Sequence, residues 1–248
     1  MNTALSKVPE VTVAFWMIKV LATTLGETGG DAVSMSMELG YLLSSAIFGV
    51  LFLAAVSLQI SRTSFHPTVY WLTIIATTTV GTTLADFADR SLGIGYAGGS
   101  LLLLALLIAS LLIWQKTMRT VSVHSITSRK AELFYWVTIM FSQTLGTALG
   151  DWVADTEGLG YGASILIFGG ILLGLTGLYF TTRVSRVFLF WAAFILTRPL
   201  GAVVGDFLDK PVADGGLELS RYAATLALLA GIALLMLAFP QKAATKAH

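Results

Sequence analysis

Four tryptophans, Trp16, Trp71, Trp136 and Trp191, each stand ten residues before a glycine and fifteen before an aspartate. The glycines are Gly26, Gly81, Gly146 and Gly201; the aspartates are Asp31, Asp86, Asp151 and Asp206. Successive tryptophans lie 55, 65 and 55 residues apart, a spacing close enough to mark a repeated unit. Such a chain must carry four acids to equivalent points of one architecture. It must do so in a strongly apolar setting, because 56% of its residues are hydrophobic and 12% charged, outside the soluble range.

Apolar runs of roughly 20 residues recur along the chain, enough to cross a bilayer core about 30 Å thick. Each unit reads as two spans, one bearing the tryptophan, glycine and aspartate, the next purely apolar. The pairs are 11–31 with 40–60, 68–88 with 96–115, 133–154 with 161–181, and 187–208 with 220–239. The first three linkers end alike, in Leu39-Gly40-Tyr41, Ile94-Gly95-Tyr96 and Leu159-Gly160-Tyr161, while the fourth is longer and runs through Asp214-Gly215-Gly216. The expected fold is an all-α integral membrane protein with eight transmembrane helices. Two helices per unit return the chain to its starting side, so the four repeats are parallel, related by a pseudo-symmetry axis along the membrane normal. The longer middle interval groups them as two pairs, residues 1–119 and 120–248, with Lys116 to Lys130 as the joint.

Several functions are excluded or disfavoured at this level. A net charge of +1, with no basic run carrying interleaved aromatics, gives no footprint for nucleic acid. With no cysteine there are no disulfides and no thiolate chemistry. His66, His124 and His248 show no metal spacing, and no serine elbow, phosphate loop or dinucleotide fingerprint is present, so neither an enzyme nor a resident cofactor is expected. The first apolar run lacks a basic start and a small-residue cleavage site, and is read as a retained helix. Of the fifteen basic residues, ten fall in the tails and the loops near 62, 116–130 and 183–186, against Arg90, Lys210 and Arg221 on the opposite side. The positive-inside rule then puts both termini in the cytoplasm and the aspartates near the outer face.

Stepping about one turn at a time from each tryptophan gives the inward stripe of each first helix. It reads Trp16, Lys19, Thr23, Glu27, Asp31 in unit one and Trp71, Ile74, Thr78, Thr82, Asp86 in unit two. Unit three gives Trp136, Ile139, Gln143, Thr147, Asp151, and unit four Trp191, Phe194, Arg198, Ala202, Asp206. Offsets of 3, 7, 11 and 15 stay on one side of a helix. Lipid penalises so polar a stripe, which should therefore face a protein interior or a watery cavity. Small residues four apart (Gly26 and Gly30, Gly81 and Ala85, Gly146 and Gly150, Gly201 and Gly205) allow the close helix approach such a centre needs.

The aspartates sit at helix C-termini, where the macrodipole disfavours an anion, so they do not serve helix stability. They read either as a set of carboxylates that gathers and coordinates cations, or as caps on the backbone of their own linkers. Hard divalent ions suit oxygen ligands, and Glu27 would join the four as a metal ligand. Asp89, Asp155 and Asp209 form a second acidic set, expected to be solvated. Arg198, followed by Pro199, falls mid-span, where an unpaired charge is costly; an ion pair with Glu27 would satisfy it. The tryptophans are read as an interfacial belt in preference to plugs of the inner end.

Four tandem two-helix units, each with its tryptophan and Gly-x4-Asp end, resemble a bacterial inner-membrane family of unknown function defined by this repeat. The resemblance covers about residues 11 to 239, supports the fold and location, and implies no activity. Function rests on the residues. The expectation is a transporter or channel for a small cation, divalent by preference, with manganese or magnesium as candidates. Asp31, Asp86, Asp151 and Asp206 gather the ion, Glu27, Thr78, Thr82, Gln143 and Thr147 line its path, and Arg198 is a tethered counter-charge. Its rivals are a carrier of a small anionic or organic solute held by Arg198 and Lys19, and a non-transporting scaffold or sensor. The expected partners are the lipid bilayer and the small ion or solute; homo-oligomerisation is left open.

Overall fold

The computed structural model describes residues 6–156 and 158–244; His248 and the last of the basic tail residues, Lys246, lie outside them. Eight α-helices occupy the described residues: α1 Val13–Asp31, α2 Gly40–Ser61, α3 Pro67–Asp86, α4 Tyr96–Met118, α5 Arg129–Asp151, α6 Gly160–Thr181, α7 Arg186–Asp209 and α8 Arg221–Ala238. The helix boundaries fall within a few residues of the expected ones. Local chemistry explains the starts. Thr12, Ser128, Ser185 and Ser220 turn side-chain oxygens onto backbone N–H groups of the first turns of α1, α5, α7 and α8, and Pro67 opens α3 where no N–H partner is needed.

The repeated linker ending has a backbone cause. Gly40, Gly95 and Gly160 all take φ between 70° and 76°, a region that costs any residue with a Cβ. Immediately after Asp31, Asp86 and Asp151 the first three odd helices widen into a π-helical turn, Ala32–Ser36, Phe87–Ser91 and Trp152–Thr156. In the fourth unit α7 instead stays α-helical to Asp209 and runs unbroken across Pro199. Its longer linker folds back on it, with Leu217, Glu218 and Leu219 donating to the carbonyls of Phe207, Lys210 and Leu208.

The odd helices form a closed ring: α1 packs on α3, α3 on α5, α5 on α7, and α7 on α1. Each even helix packs on the odd helix that follows it, α2 on α3, α4 on α5 and α6 on α7, and α8 closes the circuit on α1. Five helices, α2, α4, α6, α7 and α8, are long and apolar enough to cross a membrane. In α2, α6 and α8 only 11% of the most apolar 18-residue stretch is buried, so their leucines and isoleucines face outward. An apolar exterior around a polar interior is the arrangement of a membrane protein.

Ring closure rests on the repeated glycines. A Cβ built on Gly26 would lie 1.5 Å from Thr78 Oγ1, one on Gly81 3.1 Å from the Gln143 backbone, one on Gly146 2.1 Å from Arg198 Cγ, and one on Gly201 2.2 Å from Thr23 Oγ1. Each glycine thus seats the offset-7 residue of a neighbouring unit, and the fourth is filled from the first. Threonine hydroxyls lace the same crossings, Thr82 to the Gly26 carbonyl at 3.2 Å and Thr23 to the Thr197 carbonyl at 3.2 Å.

The tryptophans do not form an interfacial belt. Trp71, Trp136 and Trp191 are buried, Trp16 is half-buried, and they pack with Phe15, Tyr70, Tyr135 and Phe194 into one aromatic layer that plugs their end of the ring. The reason is periodicity: offset zero lies on the same inward face as the polar stripe. Across this layer the Tyr70 and Tyr135 hydroxyls meet at 2.6 Å. The chain ends cover it from outside. Ser6 donates to Val123 O, Lys7 N to Ile126 O, and Ala244 N to Val8 O, while Lys7 Nζ pairs with Glu132 at 2.6 Å.

Candidate functional site

Above the aromatic plug the ring interior is a column of polar levels. Every position of the predicted stripe beyond the tryptophans is buried: Lys19, Thr23, Glu27 and Asp31; Ile74, Thr78, Thr82 and Asp86; Ile139, Gln143, Thr147 and Asp151; Phe194, Arg198, Ala202 and Asp206. At the lowest level Lys19 Nζ lies 4.3 Å from the centre of the Phe194 ring and has no hydrogen-bond partner. Neither amide atom of Gln143, one level up, has one either.

Arg198 organises the next levels. Its Nη1 and Nη2 reach Glu27 Oε2 at 3.0 and 2.9 Å, so the pair expected from sequence is present. Nη2 also bonds Thr82 Oγ1 at 2.6 Å and Thr147 Oγ1. One guanidinium from α7 therefore binds one side chain from each of the other three odd helices. Gly146 on α5 leaves room for the arginine stem, since a Cβ there would meet Arg198 Cγ and Cβ.

The four repeated aspartates close the column, and their partners are residues that sequence reasoning passed over. Arg90 lies 3.2 Å from Asp86 Oδ1 and 3.2 Å from Asp151 Oδ2, joining units two and three. Lys210 lies 2.6 Å from Asp31 Oδ2 and 3.2 Å from Asp206 Oδ1, joining units one and four. Arg221 pairs with Asp209 at 3.3 Å and approaches Asp31 at 3.9 Å. These are the three basic residues that topology had set on the aspartate side; their isolation there was the available signal. Among the described residues no linker N–H donates to any of the four aspartates, so the capping reading is set aside. Asp209 and Asp89 are buried rather than solvated, whereas Asp155 is exposed. Tyr41 and Tyr96, of the repeated Gly-Tyr endings, accept from Arg90 at 3.2 and 3.3 Å, which gives that repeat a site role.

The cations are held charged. Burial works to lower Lys210, but Asp206, Asp31 and Asp209 outweigh it and raise the ammonium above its ordinary range. Arg90 is likewise raised, against burial, by Asp86 and Asp151. The carboxylates are still not exhausted. One oxygen each of Asp31, Asp86, Asp151 and Asp209 is buried with neither a hydrogen-bond donor nor a paired cation. Two triads have one oxygen each within 4.8 Å of one another: Glu27 with Asp151 and Asp206, and Asp31 with Asp206 and Asp209. Oxygens on opposite sides of a bound ion lie at twice the metal–oxygen distance, about 4.1 Å for magnesium and about 4.6–5.2 Å for calcium. Both triads fit a hard cation of that size.

A family model described as a repeat of unknown function, DUF347, matches the chain four times, at residues 14–64, 69–120, 134–185 and 189–240. The chain belongs to the DUF347 family. Each DUF347 repeat comprises one odd helix and the even helix after it, so one repeat supplies one wall of the column and one outer helix. No curated protein and no solved structure matches the chain.

Proposed function

We propose that this DUF347 protein is a transporter or channel for a small divalent cation, with manganese and magnesium as candidates. In this reading all eight helices span a bacterial inner membrane. The helices α1, α3 and α5 are less apolar than ordinary spans because their polar faces turn into the column and their backs are covered by even helices. The four repeats stand parallel about an axis along the membrane normal, both termini are cytoplasmic, and the aspartate end opens outward.

One observation carries the reading. Within the column and its mouth stand seven buried carboxylates, Glu27, Asp31, Asp86, Asp89, Asp151, Asp206 and Asp209, and five cations, Lys19, Arg90, Arg198, Lys210 and Arg221. With every group ionised, two negative charges are left over in a place where uncompensated charge is expensive. One divalent cation, or two protons, completes the balance, and an all-oxygen donor set favours a hard metal ion. Thr78, Thr82, Gln143 and Thr147 lie along the path below, and Arg198 is the fixed counter-charge that keeps Glu27 from holding the ion too tightly.

Proteoliposomes loaded with a metal-sensitive dye test this directly. Manganese should enter vesicles bearing the wild-type chain, and Asp86→Asn or Asp151→Asn should abolish the flux. Undiminished flux through folded variants would sink the aspartate reading. A second reading, a carrier of a small anionic or organic solute at Lys19 and Arg198, is favoured by the unpartnered Lys19 ammonium and Gln143 amide. Arg198→Gln separates them, since it removes anion transport but need not stop the cation. A non-transporting scaffold or sensor would show no flux of either kind.

A further inference from the structure

We propose that Asp31, Asp206 and Asp209 form an outer cation site whose place is held by the Lys210 ammonium, and that an arriving divalent cation displaces it. The proposal rests on the cation reading above and adds a residue, Asp209, and a competitor, Lys210, that the repeat pattern does not contain. Three observations carry it. The triad oxygens lie within 4.8 Å of one another and all three residues are buried. Lys210 Nζ sits 2.6 Å from Asp31 and 3.2 Å from Asp206, so a cationic atom already stands at this set of oxygens. Asp31 Oδ1 and Asp209 Oδ1 nevertheless have neither a hydrogen-bond donor nor a paired cation, so coordinating capacity remains beyond what the lysine uses.

The geometry also gives the ammonium somewhere to go. Lys210 is the residue at which α7 ends, its side chain is 12% exposed, and Pro211 and a short 3-10 turn follow. A flexible four-carbon stem anchored at a helix end can swing outward, whereas the carboxylates on the helices cannot. Asp206 belongs to both triads, so an ion that replaced the lysine would be one carboxylate away from the inner set of Glu27, Asp151 and Asp206. Units one and three carry Met35 and Asp155 at this place and unit two carries Arg90, paired with Asp86 as Lys210 is with Asp206; the fourth unit alone offers a lysine, from an α-helical end instead of a π turn. Unit four would thus supply a built-in competitor, setting the concentration at which the outer site fills.

Manganese binding to the purified full chain, measured by titration calorimetry, tests this. Lys210→Met should tighten manganese binding by about tenfold or more, the effect of removing a competing charge from the site. Asp209→Asn placed in that variant should cancel the gain. Lys210→Gln, which keeps a polar end but no charge, supplies the same comparison should the methionine variant fail to fold. Unchanged or weaker binding by a folded, monodisperse lysine variant overturns the proposal, and so does a gain that survives Asp209→Asn. If lysine variants bind manganese more tightly while the wild-type chain moves none across vesicles, the transport reading fails and the site stands.

Discussion

Arg198 Nη2 on α7 lies 2.9 Å from Glu27 Oε2 on α1, and both side chains are closed to solvent. Breaking such a pair from one side leaves a buried charge uncompensated, at a cost of about 3–5 kcal/mol. Glu27→Gln and Arg198→Gln should each lower the thermal midpoint of the detergent-solubilised protein steeply. The double variant should lose less than the two single losses combined, because neither charge then remains alone.

Arg90 binds two aspartates from different units, so its loss strands both. Arg90→Gln should destabilise the chain, and adding Asp151→Asn should restore part of the midpoint by removing one stranded acid. No recovery on adding the second change would mean that Arg90 matters for its contacts with Tyr41 and Tyr96 instead.

The glycines divide cleanly into two classes. Gly26→Ala forces a methyl group onto Thr78 at the α1–α3 crossing and should cost about 1–3 kcal/mol, the usual range for overpacking. Gly170→Ala meets nothing within 4 Å on α6 and should be neutral or stabilising by up to about 1 kcal/mol, since alanine is the better helix former. Paired thermal melts of the two variants check the contrast.

In the aromatic plug the Tyr70 and Tyr135 hydroxyls satisfy each other at 2.6 Å. Tyr70→Phe leaves one buried hydroxyl without a partner and should cost about 1–3 kcal/mol, whereas Tyr70→Phe with Tyr135→Phe should approach the wild-type midpoint. Equal losses from the single and double variants would show that the hydroxyls contribute independently.

The helices, their ends and the inward stripe were legible in the sequence because each depends on local rules. Serine and threonine caps sit beside the turns they close, the left-handed linker glycines mark helix starts, and a polar stripe at helical period must avoid lipid. The Glu27–Arg198 pair could be read from the cost of a mid-span arginine and the single glutamate at the facing level. The tryptophans were misplaced because belt and plug predict the same position along the helix and differ only in which side faces the axis. Arg90, Lys210 and Arg221 stood out only by their rarity on the aspartate side, and nothing local told which acid each would meet.

By itself the sequence determined a fourfold repeat, eight helices and a common buried face, since periodicity and apolar length act within each segment. Packing between units settled the rest: each glycine seats a residue of the neighbouring unit, α8 closes the outer layer on α1, and the four aspartates are bridged in two pairs by Arg90 and Lys210. Those choices belong to ring closure. Lys210 and Asp31 are 179 residues apart, and they meet because the last repeat must pack against the first to bury both their polar faces.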